Sequence, residues 1–233
     1  MRVNGVKVGE NVNLHAGDSV CYYMTAAQES KRAFIILFED GNIIVIDKES
    51  GVNSEAVFAE LKRRGECYFI HRLDRNTEGL MIFAKNTAAE EELLACFRAR
   101  RVEKIYHALV VGKMEKRHAV EEAYLVKDDK NALVQISSKP VGEKIVTEYE
   151  VMGESDGCSL LKITLHTGKT HQIRAHLAYL HHPVVGDEKY GDAAFNRSMH
   201  MTRQRLIAKE LTLESSGALA YLKGKKFISE KNL

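Results

Sequence analysis

The chain has 233 residues, with 34 Lys and Arg against 32 Asp and Glu, a formal net charge of +2, and 45% hydrophobic residues. That length holds one catalytic domain with a sizeable core and a small appendage, and a balance so near neutrality leaves any polyanion-binding face to local clustering of cations. No apolar run reaches membrane-spanning length, the first residues lack the apolar core of a signal peptide, and the four cysteines form no C-x-x-C pair, the pattern of free thiols in a reducing cytoplasm.

Residues 1 to about 25 read as a unit of their own. Val3-Asn4-Gly5 is a hairpin turn signal between short β-prone pieces. Ala16-Gly17-Asp18 then precedes the alternating run 19–24. The V-x-V-N-G and later G-D-x-V spacing resembles the C-terminal half of the alpha-L RNA-binding module. The resemblance implies a partial module over 1–27, lacking two leading basic helices through truncation or degeneration. An ordinary β-rich extension is the other reading.

A polar linker is expected over 26–32, and the rest, 28–233, reads as one catalytic domain. The spacing predicts strands over 33–38 and 42–47 joined by Glu39-Asp40-Gly41. A helix follows over 53–64, with Ala56, Val57, Phe58 and Leu61 as its apolar face and Gly65 as its stop. Tyr68-Phe69-Ile70 and Leu80 to Ala84 read as strands around a polar loop. In that loop one carboxylate, Asp74, stands between Arg72 and Arg75. Flanking cations favour an ionised carboxylate, which suits a nucleophile or base. The plain alternative is a surface turn with two weak ion pairs.

Thr87-Ala88-Ala89-Glu90 is a capping-box pattern, predicting a helix to about Arg100 with Leu93, Leu94 and Phe97 buried. Arg98, Arg100 and Arg101 at its end suit the negative end of a helix dipole, and an RNA-backbone contact is the alternative. A strand over 105–111 carries Tyr106, and further strands are expected near 121–127, 131–137, 144–151 and 158–166. So many strands argue for an α+β fold, a large, mainly antiparallel mixed sheet with few flanking helices. A helix should run from Thr170, its candidate N-cap, to about His181, with Ile173, Leu177 and Leu180 as the buried stripe. Gly186-Asp187 and Tyr190-Gly191 are turn signals, and the tail Lys223-Gly224-Lys225-Lys226 reads as solvated.

Three blocks in this order resemble the RluA-type pseudouridine synthases. His71-Arg72-Leu73-Asp74-Arg75-Asn76-Thr77-Glu78-Gly79-Leu80 is similar to H-R-L-D-x-x-T-S-G-L, His166 to Leu177 to G-R-T-H-Q-I-R-x-H, and His182 to Gly191 to H-P-I-x-G-D-x-x-Y-G. Lys104-Ile105-Tyr106-His107-Ala108 resembles the family's K-x-Y-x-A, and Arg203 to Leu213 its R-Q-x-L-x-A-x-x-L strand.

The resemblance implies the pseudouridine synthase fold and the isomerisation of specific uridines in ribosomal or transfer RNA. It implies Asp74 as the catalytic carboxylate, Arg72 filling the gap left by a flipped nucleotide, Tyr106 stacking on the base, and Arg174 paired with Asp74. Arg75, Lys104 and Lys169 are candidate contacts to the RNA backbone. Lys169 replaces an arginine of the pattern, keeping the charge but losing the bidentate fork. Glu78 stands where a small residue is usual and Ile207 where histidine is usual. The implied reaction conserves bond count and calls for no cofactor and no metal. The implied enzyme is a cytoplasmic monomer whose partner is RNA, with no membrane association.

Competing readings are weaker. Gly168-Lys169-Thr170 lacks the earlier glycine of a phosphate loop, since Ile163 stands there. The ten histidines show no H-E-x-x-H or Cys/His ligand spacing. A non-catalytic RNA-binding protein would leave the lone Asp74 and the other two blocks without a purpose.

Overall fold

The computed structural model describes residues 2–8, 13–21, 33–128 and 133–233. The linker expected over 26–32 lies outside the described residues. The chain divides into two compact units, Met1–Ala33 and Phe34–Leu233.

In the first unit, strands β1 (Arg2–Val3), β2 (Val6–Lys7) and β3 (Val20–Cys21) form an antiparallel sheet in the order β2-β1-β3. The expected turn joins β1 to β2. Asn4 and Gly5 both take positive φ, 50° and 82°, as a tight hairpin turn requires. The Asn4 side chain then donates to Asp18 Oδ1 at 2.8 Å and accepts from Ser19 N at 2.8 Å, which ties β3 to the hairpin.

The second unit is built on eleven strands. In chain order these are β4 (Phe34–Glu39), β5 (Ile43–Lys48), β6 (Tyr68–Phe69), β7 (Glu78–Ala84), β8 (Val102–Val111), β9 (His118–Asp128), β10 (Leu133–Ser137), β11 (Glu143–Ser155), β12 (Cys158–Leu165), β13 (Leu206–Leu213) and β14 (Lys226–Ile228). Their order across the sheet is β10-β9-β11-β12-β8-β13-β7-β5-β4, with β14 beside β13 and β6 beside β7. Every pairing is antiparallel except β13 with β7. The mainly antiparallel mixed sheet expected from the sequence is therefore present. β5 and β7 are buried along their whole length, as continuous apolar runs in central strands should be.

Among the described residues, four α-helices flank the sheet: α1 (Ser54–Arg64), α2 (Thr87–Arg98), α3 (Gln172–Tyr179) and α4 (Ala193–Ser198). Leu93 and Cys96 of α2 pack with Leu80, Ile82, Val45 and Leu211 in one core cluster. Each large apolar side chain buried there contributes about 1.5–3 kcal/mol. A second cluster gathers Leu125, Val134, Ile145 and Ala175 beneath α3.

Some local expectations are corrected. The N-cap of α2 is Asn86, whose side chain accepts from Ala89 N at 2.9 Å, one residue before the expected Thr87. With Asn86 as cap, position N3 is Ala89, so no capping box forms. Ala56 is exposed on α1. α3 starts at Gln172 rather than Thr170, because His171 before it is left-handed, with φ 54°. Gln172 to Leu177 are all buried, so α3 is enclosed rather than amphipathic. The basic tail 223–226 is exposed as expected, with Lys225 3.7 Å from the Phe38 ring centroid and Lys226 paired with Glu210.

Candidate active site

The loop 70–77 runs from β6 into β7 and is braced on several sides. Ser54 Oγ donates to Leu73 O and accepts from Leu73 N, at 2.8 and 3.0 Å. Gly51 N donates to Arg75 O at 2.9 Å, and Thr77 N closes a turn onto Asp74 O at 3.1 Å. Beneath it lies Lys48, fully buried at 0% exposure, whose ammonium donates to Glu49 O, Val52 O and Arg75 O at 2.9–3.0 Å. Burial pushes the Lys48 amine down to about 8, against the pull of Glu78 and Asp74. A functional loop held this way presents its side chains from a rigid scaffold.

Gly79 brings β7 hard against β13. Its φ is +106°, and a Cβ there would sit 2.3 Å from Ala208 O. The parallel pairing sets Ile207 opposite Glu78, so the two departures from the family pattern are neighbours. Glu78 is 4% exposed and is neutralised by an ion pair with Arg203. Gln204, next along, donates to Thr77 Oγ1 at 2.8 Å.

A cleft of about 590 Å³ opens above this loop, a volume within the range of small-molecule sites. It collects residues from the first two blocks and from β8: Arg72 and Asp74 from the first block, Lys169, His171 and Arg174 from the second, and Lys104 and Tyr106 from β8. The third block contributes from behind. Arg174 is 6% exposed and forks onto the buried Asp187, Nε to Oδ2 at 2.6 Å and Nη2 to Oδ1 at 2.9 Å. Its remaining nitrogen, Nη1, donates to Asp74 Oδ2 at 2.8 Å. The surface-arginine alternative for Arg174 is thereby excluded. Burial alone would raise the Asp187 carboxyl, but the Arg174 hydrogen bonds and charge, helped by the Tyr190 and Lys189 amides, hold it below the usual carboxylate range. The same carboxylates hold the Arg174 guanidinium above its ordinary value against the effect of burial.

Tyr106 is 8% exposed on β8, between Ile163 of β12 and Ala208 of β13. Burial, and then the Asp74 charge, push its hydroxyl well above the ordinary tyrosine range. His71 accepts from Ile82 N at 3.1 Å and stacks on Phe97 at 4.8 Å. Burial depresses it to about 3, so it is neutral and structural. Leu94 and Phe97, expected to be buried, are half-buried and line the cleft, with Phe97 also packing against the core cluster.

The remaining candidates separate. Arg72 is exposed at the cleft and pairs with Glu55 at 3.2 Å. Lys169 lines the cleft and pairs with Glu143 at 2.5 Å. Lys104 lies against Gly168, and burial, then Arg100, lowers its amine. Arg75 is exposed, donates to Gly51 O at 3.0 Å, and does not line the cleft. Sequence reasoning missed Lys48, Asp187 and His171 as parts of this site. The signal for Asp187 was its place in the third block, directly after a glycine.

Among the described residues, no group of three or more His, Cys, Asp or Glu side chains could hold a metal ion. No described helix is long and apolar enough to cross a membrane.

Comparison with known proteins agrees with this geometry. The sequence profile of the RNA pseudouridylate synthase family matches residues 42–179, more than half of the chain, including the first two blocks. Ribosomal large subunit pseudouridine synthase C of Vibrio parahaemolyticus is 29% identical over 221 residues, 84% of this chain and 70% of that protein. The protein of the same name from Vibrio vulnificus is 34% identical over 173 residues, 70% of this chain, and there the chain spans only 54% of the relative's length. The solved structure of human RNA pseudouridylate synthase domain containing 1 superposes with a TM-score of 0.74 at 25% identity, covering 85% of this chain and 83% of that one. The sequence profile, the similarity to ribosomal large subunit pseudouridine synthases and the fold place this chain in the RNA pseudouridylate synthase family, in its RluA-type branch.

Proposed function

We propose that this cleft isomerises uridine to pseudouridine in ribosomal RNA, with Asp74 as the reacting carboxylate. One observation carries the reading: Asp74 Oδ2 accepts from Arg174, while among the described residues Oδ1 takes part in no side-chain hydrogen bond and His171 Nε2 lies 3.9 Å from it. An oriented carboxylate with one free oxygen in a cleft suits nucleophilic addition at C1′ or proton removal at C2′. A uridine stacked in RNA is out of reach, so the target has to be flipped out at a cost of a few kcal/mol. Arg72, exposed at the cleft, is suited to the vacated gap, and Tyr106 to stacking on the flipped base. Arg98, Arg100 and Lys104 line one side, and none of them pairs with a carboxylate among the described residues. That leaves them available to phosphates, which makes binding salt-dependent.

The names of the relatives point to ribosomal RNA, and transfer RNA is the alternative substrate. We read the enzyme as a cytoplasmic monomer and residues 1–27 as a partial alpha-L module that adds RNA affinity. The test is tritium release from unmodified ribosomal and transfer RNA labelled at C5 of uridine, since C5 must lose its hydrogen. Wild type should release tritium, and Asp74→Asn should bind RNA, melt normally and release none. Normal turnover by Asp74→Asn refutes the assignment of Asp74. RNA binding by wild type without release on either RNA favours a non-catalytic RNA-binding role.

A further inference from the structure

His171 is a cleft residue that the pairing of Asp74 with Arg174 does not use. It sits immediately before α3 with φ 54° and ψ 15°, a left-handed backbone that is uncommon outside glycine and concentrates at functional sites. Its ring lines the cleft with its side chain 15% exposed. Nε2 lies 3.9 Å from Asp74 Oδ1, the oxygen that Arg174 leaves free, and Nδ1 lies 2.9 Å from the Tyr190 hydroxyl.

The contacts of Tyr190 favour one imidazole tautomer. The Tyr190 oxygen accepts from the backbone N–H of Val134 at 2.9 Å, and that amide can only donate. This leaves the phenolic proton to go to His171 Nδ1, 2.9 Å away. With the phenol donating, Nδ1 accepts, and in the neutral ring the proton sits on Nε2. Burial lowers the His171 imidazole and raises the Tyr190 phenol, so both keep these forms near neutral pH. Tyr190 is itself placed by the Asp187 carboxylate, which accepts from Tyr190 N at 3.0 Å, and its ring faces the Arg174 guanidinium at 5.2 Å. One turn thus supports both sides of Asp74.

We propose that His171 is a second substrate-contacting residue, whose Nε2–H donates to a ribose oxygen of the flipped uridine beside Asp74 Oδ1, in a tautomer set by the Tyr190 hydroxyl. At 3.9 Å, Nε2 is too far from Oδ1 for a hydrogen bond to Asp74 itself. Its donor is available to whatever enters next to that oxygen. Both chemistries open to Asp74 engage the sugar, so the neighbouring donor meets the sugar rather than the base. This inference rests on the isomerase reading above.

The test uses the full chain, C5-tritiated unmodified ribosomal RNA, single-turnover rates and separate RNA-binding titrations. His171→Asn keeps a polar group near Tyr190 but has no donor at the Nε2 position; His171→Gln keeps one. His171→Asn should slow the single-turnover step about 10- to 100-fold with RNA affinity changed less than about 2-fold, and His171→Gln should stay within about 5-fold of wild type. Tyr190→Phe should slow wild type several-fold yet change nothing in the His171→Asn background, because Tyr190 acts through His171. A His171→Asn enzyme as fast as wild type overturns the proposal, as does a His171→Gln enzyme as slow as His171→Asn. Additive effects of Tyr190→Phe and His171→Asn overturn the tautomer assignment. Silence from wild type that still binds RNA overturns the isomerase reading, and this inference falls with it.

Discussion

Replacing Arg174 by methionine should both destabilise the second unit and make its stability rise with mild acid, a response the wild-type pairing does not give. Arg174 is the cation between two carboxylates, with three short hydrogen bonds of 2.6–2.9 Å. Asp74 keeps some solvent, with its side chain 18% exposed, but the Asp187 side chain has none. Methionine fills much of the volume and leaves Asp187 with only the amides of Lys189 and Tyr190. Breaking one side of a buried pair costs about 3–5 kcal/mol, a large share of the roughly 5–15 kcal/mol that holds a domain together. With a urea slope of about 2–3 kcal/mol per molar, the midpoint should fall by about 1–2.5 M.

The pH response supplies the sharper check. In wild type the Asp187 carboxyl is held below its ordinary value, so its contribution is present above the unfolded value near 3.9 and is lost as pH falls through the folded one. Without Arg174, burial dominates and raises that carboxyl above its unfolded value. The folded mutant then binds the extra proton, and its stability rises as the pH is lowered from 7.5 towards 5. Urea melts of both proteins at the two pH values decide the matter. A loss under about 1 kcal/mol, or a mutant with the wild-type pH slope, refutes the assignment of Arg174 as the cation that balances Asp187.

Two other perturbations probe the scaffold. Gly79→Ala should cost more than about 3 kcal/mol, or prevent folding, because the new Cβ meets Ala208 O at 2.3 Å in a backbone conformation hostile to alanine; soluble yield and chemical melts read this directly. Lys48→Met removes the donor shared by three loop carbonyls and should cost about 2–4 kcal/mol with a parallel fall in turnover. Because burial holds the Lys48 amine near 8, the unfolded chain binds more protons than the folded one between there and about 10.4. The stability gap between wild type and Lys48→Met should therefore widen across that window, and a gap independent of pH would show that Lys48 does not titrate as a buried amine.

Legible in the sequence alone were the strand pattern, the order of the three blocks, and the candidates Asp74, Tyr106 and Arg174, which line one cleft. These were legible because apolar alternation reports local period and because motif blocks keep their spacing. The sequence could not tell what Arg174 faces. A helix with Ile173 and Leu177 in sequence reads as amphipathic, whereas α3 is enclosed, since the chain returns through Asp187 to cover its polar side. Lys48 ends an apolar strand and reads as a solvent-facing charge; the loop 70–77 folding over it buries it and adds the Arg75 carbonyl to the local carbonyls of Glu49 and Val52. His171 was one histidine among ten until its backbone turned left-handed and Tyr190 met its ring. Tertiary structure decided these points because a buried charge or a tautomer depends on partners 13 to 100 residues away in the chain, and local polarity carries no record of them.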